Sequence, residues 1–151
     1  MSAPDDVEGS ARAAIDRLHA AMQDVARGDV RAIKALYSHA DDATAFFGWG
    51  GWERGWEAVS RRWDWAGAQF KGGGPVTYRT LTTIVTPVLL LVTEIETFRT
   101  RLEGLAGETA WSNRVTHVFR REQGEWRLVH RHANRLEERY VPATRLGPTS
   151  G

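Results

Sequence analysis

The chain contains no cysteine, which removes disulfides, thiol nucleophiles, iron–sulfur clusters and cysteine-ligated zinc from consideration. Lysine is almost as scarce, with Lys34 and Lys71 alone, so the basic side chains are nearly all arginine. Neither sign of charge is in surplus. Twenty Lys and Arg stand against 19 Asp and Glu, a net charge of +1, and the two signs are interspersed without a basic stripe. That excludes a surface that tracks a phosphate backbone, and no nucleic-acid partner is expected. Long apolar runs are missing too. The longest, Val88–Val92, falls far short of a bilayer span, and the acidic opening Ser2-Ala3-Pro4-Asp5-Asp6 carries no apolar signal core. No membrane partner is expected, and a cytoplasmic location is.

What is present is a chain of 151 residues, 42% hydrophobic, the size of one globular domain. Its oddity is tryptophan: five of the seven (Trp49, Trp52, Trp56, Trp63, Trp65) lie between positions 49 and 65. The periodicity predicts a helix from a Ser10 cap to about Ala26, with Ala14, Leu18, Ala21, Met22 and Val25 on one stripe and Gly28 as its stop. A second helix capped by Asp29 runs from Val30 to about Tyr37. A short strand, Ala43–Phe47, leads into the loop Gly48-Trp49-Gly50-Gly51-Trp52, and a third helix spans Gly55 to Phe70 with Val59, Trp63, Ala66 and Phe70 inward. After Gly72-Gly73-Gly74-Pro75 the pattern is all strand: Val76–Val85, Val88–Arg101, Thr109–Arg121 and Glu125–Leu136. Helices first and an antiparallel meander afterwards predict an α+β domain, a curled cone-shaped sheet packed against three N-terminal helices, with a ligand cavity between the layers. Residues 1–9 are expected to be a disordered leader, 10–140 the single domain, and 141–151 a flexible tail.

The run Gly28-Asp29-Val30…Ala35-Leu36-Tyr37…Asp41-Asp42-Ala43-Thr44 and the ending Arg114–His132 resemble the SnoaL-like, ketosteroid-isomerase-like proteins of the nuclear transport factor two-like superfamily. Within it they are nearest the type related to the calcium/calmodulin kinase association domain. The resemblance covers about residues 10–136. It implies the cone fold, and it implies isomerases, polyketide cyclases, dehydratases, epoxide hydrolases and non-catalytic assembly domains alike. Ketosteroid isomerases place a carboxylate base on the first strand, a tyrosine on the first helix and a protonated acid on the penultimate strand. The matching positions here hold Phe47 (Phe46 after a one-residue slip), Leu18 and His117. Steroid-isomerase chemistry of that arrangement is not expected.

Strand pairing offers a replacement. With the loop bracketed by Glu103 and Gly107-Glu108, Glu94 falls opposite His117; with Thr86-Pro87 as a two-residue turn, Arg79 falls opposite Glu94. An Arg79–Glu94–His117 ladder then serves either as a general acid/base pair, His117 polarised by Glu94, or as a salt-bridge ladder. Val92, Val115 and Phe119 share the face of Glu94 and favour an inward orientation. A three-residue turn at Glu122-Gln123-Gly124 puts Val129, Arg131 and Ala133 on the His117 face and His130 and His132 on the other. His130 and His132 lack an obvious third ligand, so neither metal nor cofactor is expected; His19 and His39 read as structural or exposed. Arg114, Arg127 and Arg131 either clamp a carboxylate or pair with Glu96, Glu122 and Glu125. Trp63 belongs to the core or the pocket wall, Trp49 to the mouth, and Trp65 to another face where it could meet a partner.

The expected function is a small-molecule-binding protein with an aromatic-lined pocket made by Trp49, Trp63, Arg79, Phe119 and Arg131. Its ligand is a small apolar or carboxylate-bearing organic molecule, with His117 and Glu94 catalytic if it is a cofactor-independent isomerase, cyclase, dehydratase or hydrolase. The alternative is a non-catalytic ligand-binding or oligomeric assembly domain. Self-association as a homodimer through the outer sheet face is expected in either case.

Overall fold

The computed structural model describes residues 6–137. Residues 1–5 of the expected leader and the whole of the expected tail, 141–151, lie outside the described residues. Helix α1 spans Val7–Val25, starting three residues earlier than Ser10 because Asp6 is the cap: its carboxylate accepts from the Gly9 N–H at 2.8 Å. Ser10 instead sits inside the first turn, where its hydroxyl accepts the indole N–H of Trp126 at 2.9 Å. The stripe Ala11, Ala14, Leu18, Ala21, Met22, Val25 is buried as its spacing requires. Gly28, at φ +90°, turns the chain where an added Cβ would lie 2.7 Å from the Phe70 carbonyl oxygen. Helix α2 is Arg31–Leu36, and α3 is Trp56–Gln69 with Val59, Trp63 and Ala66 inward.

Five strands follow the predicted bounds within a residue or two: β1 Thr44–Phe46, β3 Thr77–Val85, β4 Leu89–Arg101, β5 Glu108–Glu122 and β6 Glu125–Arg135, with a sixth strand, β2 Trp52–Arg54, in what reads as loop. Three residues give no alternation to detect, and β2 exists because the turn through Gly50 and Gly51 returns it antiparallel to β1. The sheet order is β2-β1-β6-β5-β4-β3. Of the pairings between these six strands β1–β6 alone is parallel, so this is a mixed, not a purely antiparallel, sheet. Helices lie on the concave face over a core containing Leu18, Met22, Ile33, Tyr37, Val59, Trp63, Leu90, Phe119 and Leu128. On the convex face two uncharged rows cross five strands: Ile84, Leu91, Val118, His130, Thr44, and Thr82, Thr93, Thr116, His132, Phe46. Among the described residues no helix is long and apolar enough to cross a membrane.

Register decides which predicted pairs meet. Glu94 lies opposite Val115, and Val92 opposite His117, so the expected Glu94–His117 partnership is displaced by two residues and both side chains stay inward. Arg79 lies opposite Ile95 rather than Glu94 and is exposed. Two things move it. The turn centres on Pro87-Val88, closed by the Thr86 N–H to the Leu89 carbonyl, and a bulge between Thr80 and Thr82 adds an odd residue that flips Arg79 outward. The β5–β6 turn has two central residues, Gln123 and Gly124, both at positive φ, in place of the expected three. A bulge at Val118/Phe119 makes Val129 the extra residue, and Leu128 takes the inward place opposite Phe119.

A candidate aromatic ligand pocket

Where α3, the β1–β2 loop and the far half of β4–β6 converge, the concave side leaves a cavity of about 410 Å³. Its walls are aromatic because each contributing element delivers a ring there. Phe47 and Trp49 leave β1 stacked on one another, centroids 4.9 Å apart. Trp63, Trp65 and Phe70 come from α3 and its exit; Phe98 and Trp111 face each other across β4 and β5, 5.1 Å apart. Trp65, expected on another face of α3, reaches the cavity because Trp49 leans over to it, 5.7 Å away. Trp49 is 46% exposed and Trp63 1%, so the first is at the mouth and the second in the wall.

The floor is polar, and its charged groups are paired. Arg131 donates from both terminal nitrogens to Glu96, at 2.8 and 3.0 Å, and both side chains are buried. Asn113 adds an N–H to Glu96 at 3.1 Å, and the Tyr78 hydroxyl donates to it at 2.7 Å. Burial alone raises the Glu96 carboxyl, but the Arg131 charge and these hydrogen bonds outweigh it and leave the group lowered to about 2. The same neighbour acts on His117. Burial first, then the Arg131 charge, push its imidazole well below the ordinary histidine range. Its Nε2 accepts from Arg131 at 2.9 Å, which puts the ring proton on Nδ1, a buried atom with no partner among the described residues.

Of the residues read from sequence, Trp49, Trp63 and Arg131 line this cavity. His117 lies behind Arg131 and does not line it, Phe119 is fully buried in the core, and Arg79 is on the opposite face. Glu94 belongs to a different cluster. Its carboxylate is bridged by His19 Nε2 at 2.9 and 3.0 Å and takes the Thr80 hydroxyl at 2.8 Å. His19 in turn stacks on Tyr78 at 3.9 Å. The expected His117–Glu94 hydrogen-bonded pair is therefore not formed, and His19 rather than His117 is the partner of Glu94. Sequence reading missed Phe98, Trp111 and Asn113 as lining residues. Alternation along β4 and β5 from Glu94 and His117 would have placed Phe98 and Asn113 on the inner face. Among the described residues no group of three His, Asp or Glu side chains is placed to hold a metal ion.

A family model described as the SnoaL-like domain matches residues 11–134. No curated protein matches the chain. Among solved structures, a nuclear transport factor 2-like superfamily protein from Salmonella enterica subsp. enterica serovar Typhimurium str. LT2 has a TM-score of 0.74 at 17% identity, covering 95% of this chain and 100% of that one. A ketosteroid isomerase-like protein from Erwinia carotovora atroseptica SCRI1043 has a TM-score of 0.73 at 13% identity, covering 88% and 98%. A candidate calcium/calmodulin-dependent protein kinase type II association domain from Thiobacillus denitrificans ATCC 25259 has 0.62 at 20%, covering 83% and 94%. At these identities the likeness is one of fold.

Proposed function

The chain belongs to the SnoaL-like domain family, and from the geometry of its cavity we propose that it binds a small, mostly apolar organic molecule among the aromatic side chains there. The observation that carries this is the aromatic wall around a space of about 410 Å³, a size and lining that suit a ligand of a few fused or linked rings. Trp49 and Trp65 each leave nearly half their surface uncovered at that site. Covering apolar surface gains about 25 cal/mol per Å², so a flat ligand between these rings recovers what the fold leaves exposed.

Tryptophan emission is the direct test, since Trp49, Trp63, Trp65 and Trp111 all line the space. Titration with 2-naphthalenemethanol should give saturable quenching. Trp49→Ala should weaken binding by about three- to tenfold, the value of one aromatic stacking contact, without unfolding a protein whose core does not contain that ring. Unsaturable quenching, or equal affinity in the variant, would rule the reading out.

A second observation supports self-association as a homodimer. The two convex rows carry no Asp, Glu, Lys or Arg and include Ile84, 54% exposed, with Leu89 and Val88 nearby, 47% and 60% exposed, apolar side chains of the kind that an interface covers. Val118→Arg, placed at the middle of one row, should convert a dimer to a monomer in sedimentation velocity. A wild-type protein that sediments as a monomer at micromolar concentration would refute it.

A further inference from the structure

Arg131 is the one cation in the floor of the cavity, and a buried arginine at the end of an aromatic pocket is ordinarily where a ligand carboxylate docks. Here that fork is already filled. Both terminal nitrogens of Arg131 meet both oxygens of Glu96, in the bidentate geometry a bound carboxylic acid would adopt. Two further donors, the Asn113 amide and the Tyr78 hydroxyl, hold the same carboxylate, so four hydrogen bonds converge on it. Glu96 and Arg131 both line the cavity, which makes this seat part of the ligand site and not a distant structural pair. At the rim the charges are again of both signs, Arg135 and Glu103, and both are exposed to water.

We propose that Glu96 acts as a resident surrogate for a ligand carboxylate, so that the cavity selects uncharged aromatic molecules and rejects organic acids, and that removing Glu96 converts it into a carboxylate site. This rests on the pocket being the ligand site. A ligand acid entering the wild-type pocket loses its water and finds the terminal fork of Arg131 already taken, with a second carboxylate beside it. A ligand amine loses its water and finds Glu96 already neutralised. A neutral molecule pays neither penalty. Glu96 is thus a specificity-determining residue, acting through the arginine it occupies.

The test uses one ring system in three charge states: 2-naphthalenemethanol, 2-naphthoate and 2-naphthylmethylammonium, titrated by tryptophan emission against wild type and Glu96→Ala. Wild type should bind the alcohol at least about tenfold more tightly than either ion, and Glu96→Ala should bind naphthoate most tightly. The thermal midpoint of Glu96→Ala should rise with added propionate, which carries the carboxylate the substitution removes, and not with propionamide. Glu96→Ser also opens the seat and should show the same reversal where the alanine variant fails to fold. Wild type favouring naphthoate, or variants with unchanged preference, overturns the proposal. So does failure of both variants to fold in excess propionate. If no naphthalene compound binds any variant, the ligand reading of the pocket fails, whereas propionate rescue reports on the arginine seat alone.

Discussion

Replacing Arg131 by methionine will destabilise the protein by about 3–5 kcal/mol, a large part of the stability of a domain this size. The magnitude comes from what remains. Glu96 is 0% exposed, and without Arg131 it keeps a negative charge in the interior with only the Tyr78 hydroxyl and the Asn113 amide as donors. The interaction differs in kind from the surface pairs of this chain. Arg61–Glu57 and Arg31–Asp29 stand in water, where solvent screening leaves such pairs little weight. The sign of the pH dependence separates the two explanations of a large loss. In wild type the Glu96 carboxyl is lowered to about 2, so its contribution is complete above the ordinary carboxylate range, near 4.3, and is lost as pH falls towards 2. In the variant the carboxyl has lost the charge that lowered it, and burial drives it upward, so protonation relieves the strain at higher pH. Denaturant unfolding curves for wild type and Arg131→Met should therefore converge as pH falls below about 5. The double variant Arg131→Met/Glu96→Gln should recover part of the loss at neutral pH. A pH-independent loss would point to lost packing of the long side chain instead of a stranded charge.

How much of this site could be read from sequence follows from what strand alternation encodes. Alternation gives faces, and it placed Glu94, His117 and Arg131 inward, as they are. The assignment of β6 survived two errors that cancel: a turn one residue shorter than expected and a bulge one residue long together leave the parity of Arg131 unchanged. On β3 the corresponding errors do not cancel, and Arg79 ends outside. Alternation does not give partners. Arg131 shares its cross-strand row with His117, while Glu96 lies two rows along beside Asn113. A guanidinium on a three-carbon stem can span that distance where a shorter side chain would stop at its neighbour, and the residues of the row between, Val115 and Ala133, are small. The partner of Glu94 comes from α1, and no rule of strand pairing brings a helix residue into consideration. The tryptophan cluster was legible as a wall, but the rings that complete it, Phe98 and Trp111, are isolated in the sequence and meet only through the β4–β5 register.

The second large effect expected is on acid stability and isolates His117. Its Nε2 accepts a hydrogen bond from Arg131, an interaction available only to the neutral ring, and burial and the adjacent positive charge hold its pKa well below the usual value. The unfolded chain has no such constraint and takes up a proton near pH 6.5. Below that pH the unfolded state binds more protons at this position than the folded state, so stability is complete above about 6.5 and falls as pH falls through the window beneath it. The slope approaches about 1.4 kcal/mol per pH unit where the unfolded imidazole is protonated and the folded one is not. Glu96 adds its own loss only below the ordinary carboxylate range, so the upper part of the His117 window is free of it. His117→Gln keeps an acceptor for Arg131 and cannot titrate. The stability difference between wild type and His117→Gln, taken from urea unfolding, should be flat above pH 7 and move against wild type as pH falls below 6.5. Taking the difference removes the other histidines, including half-buried His130, whose pKa is lowered by burial and by His132. Parallel curves across the window would mean that the imidazole is protonated in the folded protein. The Arg131 hydrogen bond to Nε2 could not then exist, and the floor of the pocket would carry a net positive charge instead of the neutral balance on which its preference for uncharged ligands rests.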